Sequence, residues 1–263
     1  MQPIALLVGA SSGIGYETAK KCRAKGYAVY NASRTPCDLD FVFNFTADVK
    51  NSDDLASAAA EIVKKTRRID LLIYFAGASM AAPVEYAELG DLRDLFEVNY
   101  FGFIKAVQAV LPVMRAQNRG RIIAVGSMAG VFSIPYDGYY SGSKVALCSL
   151  LESLRFELYP FRIPVYAILP GGTKTAFTEK RKVYPAGKVR LYAGRMKIAV
   201  TRLAEMEQGG AAPENVAETI VRSLDRKNPP LVIASGFQNK FRLFLAKILP
   251  KRLVSAQNYK KYE

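Results

Sequence analysis

The chain has 263 residues, half of them hydrophobic, with three cysteines, no histidine and a formal net charge of +14. That length supports one large core. The missing histidines exclude Ser-His-Asp and Cys-His nucleophilic catalysis and argue against a metal site, while Cys22, Cys37 and Cys148 are too far apart for a zinc site or a disulfide framework.

Short apolar runs alternate with segments of helical period, which predicts βαβ units. The expected strands fall at 4–8, 28–32, 41–45, 71–76, 121–126, 164–169 and 231–234, with helices at 14–25, 53–67, 91–118, 139–159 and 213–226. This is the pattern of an α/β fold, a doubly wound, Rossmann-type parallel seven-stranded sheet in a single domain spanning 1–263. Residues 172–210 are the least regular stretch and follow the sixth strand at the carboxyl edge of the sheet, where a substrate loop is expected.

The first strand runs into "GASSGIG", with Gly9, Gly13 and Gly15 where a missing Cβ lets the backbone approach a pyrophosphate at a helix N-terminus. This segment resembles the cofactor loop of the short-chain dehydrogenase/reductase family, which implies cofactor contacts at Gly9, Ser11, Ser12, Gly13, Ile14 and Gly15. That family usually has Thr where Val8 stands, so a hydroxyl that would tie the loop to neighbouring backbone is lost. After the second strand no carboxylate is placed to bind an adenosine ribose; Ser33 and Arg34 stand there instead, and Arg pairs with the 2′-phosphate of NADP. NADP(H) is the expected cofactor, with NAD(H) the alternative. The resemblance further implies adenine contact at Asp48 and Val49, and cofactor contact at Ala76 and Gly77 of "YFAG", where the family has two Asn in place of Tyr74 and Phe75. Those two aromatics are expected to pack and not to hydrogen-bond.

Tyr140 and Lys144 are spaced i, i+4, which on a helix sets the ammonium beside the phenol, and Ser127 lies thirteen residues before Tyr140. A nearby cation is expected to lower the phenol pKa, making Tyr140 a usable proton shuttle. Ser127 would hold the same substrate oxygen, and Lys144 would also bind the nicotinamide ribose. Asn99 matches the family's fourth catalytic position, where the side chain interrupts a helix and holds a water leading to the Lys, and the resemblance places it at the cofactor as well. "LPGGTKT" is similar to the family's P-G-x-V-x-T, implying cofactor contacts at Pro170, Gly171, Thr173 and Thr175. The likeness runs in order from about 4 to 234. It implies an NADP(H)-dependent oxidoreductase interconverting a ketone and a secondary alcohol.

The basicity is local: residues 174–207 carry nine Lys/Arg against three Glu, and 238–263 carry seven against one. In 172–210 the cations alternate with Phe177, Tyr184, Leu191, Tyr192, Met196 and Ile198, which suits a lipid-, acyl- or steroid-like substrate bearing an anionic group. The tail, 237–263, is expected to place Phe237, Phe241, Phe244, Leu245, Ile248 and Leu249 along one helical face, with Lys240, Arg242, Lys247 and Lys251 elsewhere, in a helix that Pro250 ends. Such a helix suits a membrane surface, the substrate pocket or another subunit. A 3-oxoacyl-thioester reductase is the alternative enzyme, and a dinucleotide sensor without turnover the alternative outside catalysis. No nucleic-acid-binding module is present in the pattern. The family likeness implies a homodimer or homotetramer, and with no apolar run of 18 residues and no signal-peptide pattern the chain reads as cytoplasmic.

Overall fold

A computed structural model of the chain describes residues 2–250, 252–254, 256 and 262. Lys251, one of the tail's cations, lies outside them, as does most of the tail beyond it. The strands are β1 Ile4–Val8, β2 Ala28–Ser33, β3 Val42–Thr46, β4 Leu71–Tyr74, β5 Met80–Ala81, β6 Ile122–Val125, β7 Val165–Leu169, β8 Lys182–Val183 and β9 Val232–Ala234. The helices are α1 Gly13–Ala24, α2 Ser52–Thr66, α3 Leu89–Phe96, α4 Gly102–Ala116, α5 Gly138–Leu158, α6 Ala186–Val189, α7 Ala193–Gln208, α8 Pro213–Ser223 and α9 Phe237–Ile248.

Seven strands form one parallel sheet in the order β3-β2-β1-β4-β6-β7-β9, as expected for a doubly wound fold. The central strands are apolar on both faces because both are covered. Leu6, Val8 and Leu72 pack with α2, α4 and α5, while Ala5, Leu7 and Ile73 pack with α1 and α8. The order reverses between β1 and β4, so the crevice beyond their carboxyl ends is where this topology seats a ligand.

Three departures from the sequence reading bear on the site. First, β4 ends at Tyr74, two residues early, because Phe75 and Ala76 both donate to the Val8 carbonyl and turn the chain across the crevice. Second, the helix expected at 91–118 is broken by a π-helical segment, Glu97–Phe101, between α3 and α4. Third, the stretch read as an irregular loop at 172–210 holds the 16-residue helix α7, which buries Met196, Ala199 and Leu203, and the strand β8, which pairs with β5. Among the described residues, no helix is long and apolar enough to cross a membrane.

Candidate active site

The crevice holds a cavity of about 370 Å³, walled on one side by the turn between β1 and α1 and on the other by α5 and the 172–210 segment. Gly9 has φ +90, and a Cβ there would lie 2.9 Å from the Ala76 nitrogen; one at Gly15 would lie 2.6 Å from the Gly9 carbonyl oxygen. Both positions therefore need glycine. Val8 carries no hydroxyl to tie the turn, and the tie comes from β2 instead: the Ala10 amide donates to Asn31 Oδ1 at 3.0 Å. Asn31 is fully buried and also donates to Ser33 and Asn44. Sequence reasoning missed it, since only strand pairing brings residue 31 beside residue 10.

Every residue but Asn99 expected to touch the cofactor, together with Ser127, Tyr140 and Lys144, lines this one cavity; Asn99, expected in the catalytic set and at the cofactor, stands behind the wall and does not reach it. Arg34 is exposed at the cleft edge, without an ion-pair partner among the described residues. The Ser33 hydroxyl donates to the Thr35 carbonyl at 2.7 Å and so holds the turn that carries Arg34. Asp48 Oδ1 accepts from the Lys50 amide at 2.9 Å, Thr173 Oγ1 donates to the Gly171 carbonyl, and the Thr175 methyl closes over Gly13. The glycine cradle, the helix N-terminus and the edge Arg fit a dinucleotide.

Ser127 ends the loop after β6, and its hydroxyl accepts from the Ala129 amide at 3.0 Å while hydrogen-bonding Tyr140. Tyr140 and Lys144 lie on successive turns of α5, with Lys144 Nζ 5.7 Å from the phenol ring centre and donating to the Val125 carbonyl at 3.1 Å. Burial lowers the Lys144 pKa to about 8. The Tyr140 phenol shifts in the opposite sense to the sequence expectation: burial raises it, and the Ser127 hydrogen bond offsets this only in part. Burial thus favours the protonated phenol.

Asn99 sits in the π-helical segment and is fully buried. Its amide is engaged by protein groups: Oδ1 accepts from the Ala78 amide at 2.8 Å, while Nδ2 donates to the Ala78 carbonyl and to Ser143 Oγ, each at 2.9 Å. It therefore pins the exit of β4 to the helix of Tyr140 and Lys144. Tyr74 does hydrogen-bond, contrary to expectation: its hydroxyl donates at 2.5 Å to the Val98 carbonyl, on the turn where the π-helical register departs from α-helical pairing.

The substrate side departs further from the sequence reading. Among the described residues, three of the nine cations of 174–207 are held by acids: Arg181 by Glu207 at 2.6 Å, Lys182 by Asp91, and Lys188 by Glu88 at 3.0 Å. Lys180 and the half-buried Arg242 still reach the cavity wall, with Arg242 stacked 4.8 Å over Phe132. Two carboxyls, Asp137 and Glu207, line the same wall among Phe132, Ile134, Phe177 and Met206. Asp137 is 2% exposed and accepts from Ser79 at 3.2 Å. Burial pushes its pKa up to about 7 against the opposing pull of Arg181.

A Ser-Tyr-Lys set, its Tyr and Lys buried, facing a glycine-lined dinucleotide cleft defines a class of nicotinamide-dependent oxidoreductase. The sequence model of the family described as "short chain dehydrogenase" matches residues 3–184. Among curated proteins, the chain is 36% identical over 233 residues to 3-ketodihydrosphingosine reductase of Bacteroides thetaiotaomicron, covering 88% of this chain and 87% of that one. It is 28% identical over 253 residues to estradiol 17-beta-dehydrogenase 1 of Rattus norvegicus, covering 87% and 72%. Among solved structures, a short-chain dehydrogenase from Streptomyces avermitilis superposes with a TM-score of 0.81 at 28% identity, covering 99% and 97%. One from Burkholderia cenocepacia in complex with NADP superposes at 0.77 with 23% identity, covering 98% and 99%. The chain belongs to the short-chain dehydrogenase/reductase family and is an NAD(P)-dependent oxidoreductase acting on CH–OH groups.

Proposed function

We propose that the chain uses NADP(H) to interconvert a ketone and a secondary alcohol on a long hydrophobic substrate, with Tyr140 as the acid/base. The observation that carries this reading is the convergence of Ser127, Tyr140 and Lys144 on one cavity whose far wall is Phe132, Ile134, Phe177, Leu203 and Met206. The nicotinamide, when bound, supplies or accepts the hydride. Tyr140 donates its proton to the carbonyl oxygen in reduction, and its phenolate takes the alcohol proton in oxidation. Ser127 hydrogen-bonds the same oxygen and holds it as its charge changes. Lys144 supplies a buried cation one turn away, and Asn99 fixes the helix that carries both.

The relative named as a 3-ketodihydrosphingosine reductase directs the first assay to that ketone. Asp137 and Glu207 on the cavity wall suit a substrate with a hydrogen-bond donor or an amine near the carbonyl. Lys180 and Arg242 favour the second reading, a 3-oxoacyl-thioester carrying anionic groups. NADPH oxidation with 3-ketodihydrosphingosine, a 3-oxoacyl-CoA and a steroid ketone, side by side, tests both. Turnover of the amino ketone far above the thioester supports the first, the reverse order supports the second, and no turnover of any hydrophobic ketone overturns the proposal. The assembly expected is a homodimer or homotetramer through α4 and α5, where Val145 and Phe156 stand exposed.

A further inference from the structure

Helix α9 has two opposed faces with different fates. Leu243 and Ala246 pack against the main core, Asn239 donates to the Ser235 carbonyl at 2.7 Å, and Arg242 reaches the cavity wall over Phe132. The other face carries Phe237, Phe241, Phe244 and Ile248, spaced four, three and four residues apart, so that they form one stripe pointing away from the core. These four are 83%, 54%, 57% and 59% exposed. Lys240 and Lys247 border the stripe, both exposed and neither in an ion pair among the described residues. No acidic residue occurs in the sequence between Asp225 and Glu263.

We infer that α9 is a docking surface for an anionic lipid bilayer, lying in the membrane plane with its phenylalanines in the headgroup–acyl boundary. Three bulky apolar rings and an isoleucine on one line, edged by unpaired lysines in an acid-free segment, match an apolar interior bordered by negative headgroups. A second copy of the chain fits poorly, since a two-fold contact through this stripe would set Lys240 and Lys247 against their own counterparts. The stripe also lies on a different element from the exposed apolar residues of α5. Because the opposite side of α9 walls the substrate end of the cavity, a docked helix would set that end beside the bilayer, from which a hydrophobic ketone can enter without crossing water. The docking itself does not depend on the ketone's identity.

The test is co-sedimentation of the full-length protein with vesicles of mixed phosphatidylglycerol and phosphatidylcholine, and with phosphatidylcholine alone, at low and high salt. The wild type is expected to partition onto the anionic vesicles, and less so at high salt. Phe241→Ser with Phe244→Ser should weaken that partitioning about a hundredfold, roughly tenfold for each ring no longer buried. The melting temperature and turnover of a small water-soluble ketone should be unchanged. Lys240→Glu with Lys247→Glu should remove the preference for anionic over neutral vesicles. Wild type that stays in the supernatant with both vesicles overturns the proposal, as does a double-serine variant that binds as the wild type does. Concentration-dependent self-association in sedimentation velocity that the serine variant abolishes, without vesicle binding, would assign the stripe to a second copy instead.

Discussion

Arg181 donates to Glu207 across the inside of the 172–210 segment at 2.6 Å, with an arginine side chain that is 2% exposed. The same guanidinium donates to Ser79 at 3.0 Å, and Glu207 also accepts from Thr178 at 2.7 Å. One buried pair therefore ties the segment after β7, helix α7 and the loop beyond β4 into a single wall. Glu207→Leu leaves a buried guanidinium without its counter-charge and should cost about 3 to 5 kcal/mol of stability. Adding Arg181→Met should recover most of that loss, because a buried pair replaced by apolar side chains is often neutral. KM for the hydrophobic ketone should stay raised in both, since the wall loses its polar frame. Thermal unfolding of the two variants decides the matter; a single variant as stable as the wild type would refute the coupling.

Asp137 gives a pH signature of its own. Burial raises its pKa from 3.8 to about 7, with Arg181, Glu207, Tyr140 and Tyr262 among its ionisable neighbours. A raised carboxyl favours the fold in its protonated form, so its contribution is complete below pH 3.8 and is lost as the pH climbs through 7. Asp137→Asn cannot ionise and keeps an acceptor for Ser79. Its stability relative to wild type should therefore climb between pH 4 and 7 and level off above, by up to about 4 kcal/mol. Urea unfolding across that window measures the difference, and a flat difference would show that Asp137 does not retain its proton in the fold.

The proton inventory of Tyr140 separates the two reaction directions. Because burial holds the phenol above its ordinary value, it remains protonated through the neutral range and is ready as an acid. Reduction should be nearly insensitive to pH until alkaline solution, whereas oxidation of the alcohol needs the phenolate and should accelerate as pH rises. Tyr140→Phe should lower turnover about 10²- to 10⁴-fold while leaving cofactor binding intact. Ser127→Ala should lower kcat about 10²- to 10³-fold through the lost oxygen contact. Parallel pH–rate profiles in the two directions, or an active Tyr140→Phe, would remove Tyr140 from the acid/base role.

The sheet and its glycine turn are legible in the sequence because each rests on local signals: two-sided apolar runs, three glycines at a strand end, and the fixed spacing of Ser127, Tyr140 and Lys144. What escapes notice depends on contacts between distant residues. Asn31 holds the turn only because β2 lies beside β1. The apolar period of 91–118 runs on through the π-helical segment, so nothing marks the extra residue that aims Asn99 inward. Helix α7 is masked by its many cations, and its inward face of Met196, Ala199 and Leu203 is evident only once the lid is seen to close on Ile134, Tyr136 and Tyr140. Lys182 and Lys188 read as substrate contacts until Asp91 and Glu88, nearly a hundred residues upstream, are found beside them.

The proposed preference for NADP(H) turns on Arg34. It is exposed at the cleft edge after β2, on a turn held by Ser33, with Asp38 further along and no acid at the strand end itself. A guanidinium there gains two charge-assisted hydrogen bonds from a ribose 2′-phosphate and nothing equivalent from a 2′-hydroxyl. Hydrogen bonds to charged groups are worth about 1.5 to 3 kcal/mol, which corresponds to roughly 10- to 100-fold in affinity. Arg34→Ala should weaken NADPH binding by that factor, leave NADH binding almost unchanged, and leave the fold as stable as before. Titration of both cofactors by nicotinamide fluorescence measures the four affinities. Wild type that binds NADH as tightly as NADPH, or an Arg34→Ala variant that loses both equally, would place the selectivity elsewhere on the cleft wall and make alcohol oxidation with NAD the assay to pursue.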